Sequence, residues 1–68
     1  MKAIDRLYEY FDLKDVRPTS LEKKLGFSNG YLGKSYRNKS NLGSDVVKKI
    51  IEYFPDLSLD WLITGQGN

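Results

Sequence analysis

Apolar residues near the start of the chain recur at helical spacing. A stripe at positions i, i+3, i+4 and i+7 consists of Ile4, Leu7, Tyr8 and Phe11. Residues three and four apart lie on one helix face, so this spacing predicts an amphipathic helix. The pattern fades near Leu13 or Lys14, and Pro18 prevents a longer helix because the residue before a proline disfavours helical backbone.

The segment 19–26 predicts a second, shorter helix. Leu21 and Leu25 lie four residues apart on one face, and Gly26 follows where glycine can end a helix in the left-handed conformation. Thr19 and Glu22 match a capping box, in which each side chain accepts a hydrogen bond from the other residue's backbone N–H. We therefore expect this helix to begin at Thr19 and to end at Gly26.

A third helix is predicted over about 29–37, after a tight turn. Phe27 supplies an apolar residue to the turn, and Ser28 is placed to cap the new helix by accepting a backbone N–H bond. Two short helices joined in this way have the layout of a helix-turn-helix motif, here 19–37. The second helix of such a motif enters the major groove of DNA.

Two further helices are predicted after a polar loop at 38–43. The broad apolar face of the fourth consists of Val46, Val47, Ile50, Ile51 and Phe54. Ser44 is a candidate cap for this helix and Pro55 ends it. Ser58 is a candidate cap for a last helix, Leu59 to about Thr64, which Gly65 stops. The chain is therefore expected to be all-α, a compact bundle of five short helices.

The apolar faces of these helices predict the core, within one domain that covers 1–65. Its expected members are Ile4, Leu7, Phe11, Leu21, Leu25, Phe27, Leu32, Leu42, Val47, Ile50, Ile51, Leu59, Trp61 and Leu62. We interpret Trp61 as a packing residue because it lies at helical spacing among other apolar residues. The tail at 66–68 is expected to be the start of a linker.

The composition argues against catalysis and against bound cofactors. The chain of 68 residues has no cysteine and no histidine, so it has neither a thiolate nor an imidazole for metal binding or acid–base chemistry. We therefore expect no enzyme, no cofactor and no metal. No apolar run approaches the roughly 20 residues of a membrane span, so we expect no membrane contact. The absence of cysteine suits the cytoplasmic location that we expect.

Charge is concentrated in the middle of the chain. Residues 23–44 contain five Lys or Arg and no acidic residue, whereas residues 1–22 carry a net charge of −1 and residues 45–68 a net charge of −2. Such a local basic cluster favours binding to nucleic acid phosphates through counterion release. The alternative is an ordinary solvated helix face.

These elements in this order resemble the Cro/lambda-repressor-like DNA-binding domains, the XRE family of helix-turn-helix regulators. The strongest matches are Leu21-x3-Leu25-Gly26-Phe27-Ser28, the following Leu32, and the closing segment 58–65. The similarity extends from about Ile4 to Gly65. It implies a sequence-specific regulator of transcription, most similar to phage repressors, that acts on double-stranded DNA near the nucleoid of a prokaryote or on phage DNA.

The resemblance assigns roles to residues around the recognition helix, 29–37. It implies base reading by Asn29, Gly30 and Lys34. It implies phosphate contacts from Thr19, Ser28, Tyr31, Arg37, Asn38, Lys39 and Asn41. Tyr31 and Tyr36 have structural alternatives, and we expect Tyr36 to pack against the fourth helix.

The chain departs from the family pattern at several positions. Glu22 stands where alanine is usual, and we expect its carboxylate to turn back to Thr19 rather than enter the helix interface. Ser35 stands where an apolar residue is common. Gly33 disfavours a helix by roughly 1 kcal/mol relative to alanine. It either lets DNA approach the backbone closely or leaves a marginal helix that tightens on binding.

The resemblance also implies a homodimer on a palindromic operator, with half-sites about 34 Å apart. The acidic last helix is a candidate dimer surface, and a further domain after Gly67 is plausible if the natural chain is longer. The alternative function is a protein-interaction or antitoxin-like helical module that binds DNA weakly or without specificity.

Overall fold

A computed structural model of the chain describes residues 2–66, which contain five α-helices and no strand. The helices are α1 (Ala3–Lys14), α2 (Pro18–Leu25), α3 (Tyr31–Asn38), α4 (Ser44–Tyr53) and α5 (Leu59–Thr64). The all-α bundle of five short helices is therefore confirmed. Met1 and two residues of the expected tail, Gly67 and Asn68, lie outside the described residues.

α2 begins one residue earlier than predicted. Pro18 occupies its first position. The fixed φ of proline suits a helix there, and the lack of an N–H costs no hydrogen bond because the first N–H of a helix has no intrahelical partner. The Thr19–Glu22 capping box is wrong, because the Glu22 carboxylate bonds to residues of the next helix instead. The end is as predicted, since Gly26 adopts the left-handed conformation with φ +77°.

α3 begins at Tyr31, two residues later than predicted. The backbone N–H of Tyr31 donates to the Ser28 carbonyl at 3.1 Å, which closes a turn around Asn29 and Gly30. Gly30 has φ +81° and ψ 2°, the conformation of the third residue of a type II turn, which favours glycine. The Ser28 side chain makes no cap bond to α3, so the predicted cap is wrong.

The last two helices differ in how well their starts were predicted. α4 begins at Ser44 itself, with Gly43 in the preceding cap position and no side-chain cap bond, so Ser44 is not the cap. α5 is as predicted: the Ser58 hydroxyl accepts the Trp61 backbone N–H at 3.2 Å, and Gly65 ends the helix with φ +80°.

The core lies where α1, α2, α3 and the last two helices meet. Its buried apolar residues are Ile4, Leu7, Tyr10, Phe11, Leu21, Leu32, Ile50, Leu57 and Leu62. The prediction missed Tyr10 and Leu57, and it was wrong about Leu59, which is 48% exposed on the outer side of α5. The remaining predicted members, Trp61 among them, are partly buried against this core.

Polar bonds tie α1 to the end of the chain. The buried Arg6 guanidinium donates from Nε to the Leu62 carbonyl and from Nη2 to the Ile63 carbonyl, both at 2.8 Å. Carbonyls at the end of a helix lack intrahelical partners, so Arg6 satisfies acceptors that α5 leaves open. This bond pair fixes α5 against α1.

A second polar cluster joins α1 to the α4–α5 loop. The Tyr10 hydroxyl donates to Asp56 Oδ1 at 2.7 Å, and Lys14 Nζ lies 2.8 Å from Asp56 Oδ2. Burial, with the Asp56 hydrogen bond, raises the pKa of Tyr10 to about 12. Hydrogen bonds from Lys14 and then from Tyr10 hold the pKa of Asp56 below its usual value.

Candidate nucleic-acid interface

The residues assigned to DNA contact lie at the surface of the structure, with one partial exception. Tyr31 is half-buried and its ring lies 6.0 Å from that of Phe27. The exposed members are Thr19, Ser28, Asn29, Gly30, Lys34, Arg37, Asn38, Lys39 and Asn41. These residues therefore have solvent-facing positions from which they can contact a ligand.

The exposed side of α3 brings several of these residues together. The Gly30 carbonyl accepts the Lys34 backbone N–H at 2.9 Å, so Lys34 follows Gly30 by one helical turn. A Cβ atom added at Gly33 would lie 3.7 Å from Arg37 Nη1, which places the guanidinium over that glycine. Asn29 and Gly30 belong to the turn before α3 rather than to its first turn.

Glu22 holds the start of α3 against α2. Its carboxylate accepts the Gly30 N–H through Oε1 at 2.9 Å and the Leu32 N–H through Oε2 at 2.7 Å, and the residue is 1% exposed. The carboxylate enters the interface between the two helices, contrary to the sequence prediction. The sequence signal for this burial was that Glu22 stands where alanine is usual in the family, but the capping box predicted a different partner.

Lys39, expected to contact phosphate, has an internal partner. Its ammonium donates to the Asp5 carboxylate and lies 4.2 Å from the centre of the Tyr36 ring. The hydrogen bond from Lys39, followed by that from the Lys2 backbone, lowers the pKa of Asp5. The Tyr36 ring stacks on Tyr8 of α1 at a centroid distance of 4.2 Å, so its predicted packing against α4 is wrong.

An acidic cleft borders the basic surface on the α1 side. Its lining includes four carboxylates, together with the rings of Tyr8 and Tyr36: Asp5, Glu9, Asp12 and Asp15. The negative carboxylates repel negative phosphates, so a nucleic acid bound at α3 would not extend over this side of α1.

Asn41 lies in another cleft, which it shares with Lys2, Arg6 and Leu42.

Basic side chains of α2 and α4 line one shallow cleft, in which Lys24 and Lys49 lie with Leu25, Glu52 and Tyr53. Lys49 Nζ donates to the Leu25 carbonyl at 3.3 Å and lies 5.7 Å from the centre of the Phe27 ring. Lys24 Nζ lies 6.0 Å from the centre of the Tyr53 ring. Sequence reasoning missed Lys49 because it lies far from α2 along the chain.

A separate apolar groove runs between α4 and α5 and carries no basic cluster. Its apolar lining consists of Leu42, Val47, Ile51, Leu59 and Ile63. Lys48 and Glu52 flank it, one of each charge. We call this feature the α4–α5 groove.

The chemistry of the α3 surface is that of hydrogen-bond donors and positive charge. Amide, ammonium and guanidinium groups can bind phosphate oxygens and base edges. Within residues 2–66 no cluster of acidic residues is arranged to hold a metal ion, and no helix is long and apolar enough to span a membrane. No family model matches the chain, and no curated protein or solved structure matches it significantly.

Proposed function

We propose that this protein is a sequence-specific binder of double-stranded DNA and the DNA-binding domain of a repressor-like regulator of transcription. α2, the turn at 26–30 and α3 would form the helix-turn-helix, with α3 in the major groove. The observation that carries the proposal is the acid-free segment 23–44, which includes α3 and whose five basic side chains are all exposed.

The exposed residues of α3 and its preceding turn have the chemistry for base reading. Asn29 can make a bidentate pair with adenine, and Lys34 can donate to guanine O6 or N7. Gly30 lies between them, with no side chain to hold the helix away from the bases. Lys23, Lys24 and Arg37 supply positive charge for the phosphates on either side.

Phosphate binding is better supported at α2 than at the start of α3. The Glu22 carboxylate already occupies the Gly30 and Leu32 N–H groups. Thr19 and Ser20, in contrast, stand in the exposed first turn of α2, where backbone N–H groups lack intrahelical partners. Lys39 would have to exchange Asp5 for a phosphate.

We expect the protein to act as a homodimer, because one small domain covers only a few base pairs. The α4–α5 groove is the candidate contact. A second copy related by a twofold axis would cover the apolar lining, which Lys48 and Glu52 flank with one charge of each sign.

The test is selection from a pool of random DNA duplexes, followed by sequencing of the bound fraction. Enrichment of a palindrome with half-sites about one helical turn apart is expected. Lys34→Ala should then relax specificity at particular base pairs, whereas Lys14→Ala, a matched loss of charge outside 23–44, should not.

The same selection experiment distinguishes DNA reading from a second candidate function. The exposed apolar α4–α5 groove also suits a protein-interaction module whose fold is kept without base reading. A folded protein that enriches no sequence would contradict the DNA-reading function and favour this alternative.

A further inference from the structure

Glu22 is an acidic residue buried beneath the most basic part of the surface. Only 1% of it is exposed, and residues 23–44, which follow it directly, contain no acidic residue. Burying a carboxylate is unfavourable unless hydrogen bonds compensate it. Here the compensation comes from backbone N–H groups of α3 and its preceding turn.

The two bonds fix the beginning of α3 at two points. Oε1 accepts from Gly30, the last turn residue, and Oε2 accepts from Leu32, the second helical residue. The first N–H groups of a helix lack intrahelical partners, and a negative charge is favourable beside them. The carboxylate therefore sets both the position and the rotation of the first turn relative to α2.

We propose that Glu22 is a positioning residue for base reading, a proposal that rests on the proposed function. The clamped backbone lies directly beside Asn29 and one turn before Lys34. Base-edge contacts need side chains placed to within about 0.5 Å, whereas flexible lysines reach phosphates from many positions. Loss of the clamp should therefore lower specificity much more than general affinity for DNA.

The test is Glu22→Gln, which preserves the side-chain shape but replaces one acceptor oxygen with an amide that faces an N–H group. Glu9→Gln is the matched control, because it removes one negative charge from the exposed side of α1. Affinities for the selected operator and for a random duplex are measured with both variants, across a range of salt concentrations.

The expected result is a fall of about tenfold or more in the operator-to-random affinity ratio of Glu22→Gln, with the salt slope equal to that of Glu9→Gln. Amide hydrogen exchange should accelerate at Gly30 and Leu32 in the same variant. Accelerated exchange with an unchanged ratio would overturn the proposal, as would an equal loss on both duplexes with a flatter salt slope.

Two further measurements keep the proposal testable if Glu22→Gln is unstable. The pair of variants is compared again in an Asp15→Gly background. Asp15, in the α1–α2 turn, has a left-handed backbone (φ 56°) that glycine adopts without strain, so this change should raise the stability of both variants. In the wild-type protein, fast exchange at Gly30 and Leu32 would disprove the clamp itself. If the wild type selects no sequence, the proposed function fails with the specificity role, while slow exchange would still establish the clamp.

Discussion

Single residues in this protein hold backbone conformations on which the candidate interface depends. Gly30 lies in the left-handed region, and nothing stands within 4 Å of where its Cβ would be. The reason for glycine there is therefore the backbone conformation and not a lack of space. A residue with a Cβ pays roughly 1–2 kcal/mol in that conformation.

We expect Gly30→Ala to lower the free energy of unfolding by about 1–2 kcal/mol. Gly43→Ala is the control, because Gly43 has φ −67° and also has open space around its Cβ position. Urea unfolding of both variants measures the difference. Unchanged stability of Gly30→Ala would show that the conformation of Gly30 is unstrained for alanine.

Asp56 makes the stability of the fold depend on pH. Its carboxylate is favoured in the folded state by Lys14 and Tyr10, so its folded pKa lies below the usual 3.8. The stabilisation is present above the unfolded pKa and is lost as pH falls through the folded pKa.

Asp56→Asn should therefore lower the Tm at pH 6 and have a much smaller effect near pH 3. Thermal unfolding across this range measures the difference, and Asp12→Asn, which changes an exposed acidic residue of α1, is the control. A difference between wild type and Asp56→Asn that stays constant with pH would contradict the assigned ion pair.

At the level of elements, α3 is short and contains a glycine without a steric reason for it. A Cβ at Gly33 would make only an ordinary 3.7 Å contact with the Arg37 side chain, and its φ is not left-handed. The helix therefore gives up stability at this position.

We expect Gly33→Ala to raise the free energy of unfolding by roughly 1 kcal/mol, measured by urea unfolding. Operator affinity of the same variant decides why glycine is there. Weaker binding would indicate close approach of DNA to the backbone, and tighter binding would indicate a helix that orders on binding. Unchanged or lower stability would contradict the structural argument.

The elements also show what sequence reasoning can reach in this chain. Local signals predicted the five helices, because apolar spacing, Gly26, Ser58 and Gly65 act within a few residues. They failed where a distant group competed: Glu22 serves Gly30 and Leu32 rather than Thr19, and Tyr36 stacks on Tyr8. The assigned contact residues other than Tyr31 are exposed, but the partner of Lys39 was not predicted because Asp5 lies 34 positions away.

At the scale of the whole molecule, charge and apolar surface are separated. The acid-free segment 23–44, with its five exposed basic residues, includes α3; an acidic cleft lies beside α1, and the α4–α5 groove is lined mainly by apolar residues. A DNA-bound dimer would use the basic surface to contact DNA and the α4–α5 groove to contact the second copy.

Ile63→Lys should convert the expected dimer to monomer and weaken operator binding, because it places a charge in the α4–α5 groove. Leu13→Lys is the matched control, since Leu13 is 83% exposed on α1. Sedimentation equilibrium with and without operator DNA gives the result. Equal behaviour of the two variants would remove the groove from the dimer interface.

The bond between Arg6 and α5 has a consequence for the time at which the protein can fold. Arg6 is synthesised well before its acceptors, because the carbonyls of Leu62 and Ile63 belong to residues 56 and 57 positions further along the chain. Until then a guanidinium that is buried in the finished protein must stay in water. The bundle can therefore close only after α5 has left the ribosomal exit tunnel, so release of this segment sets the earliest moment of folding.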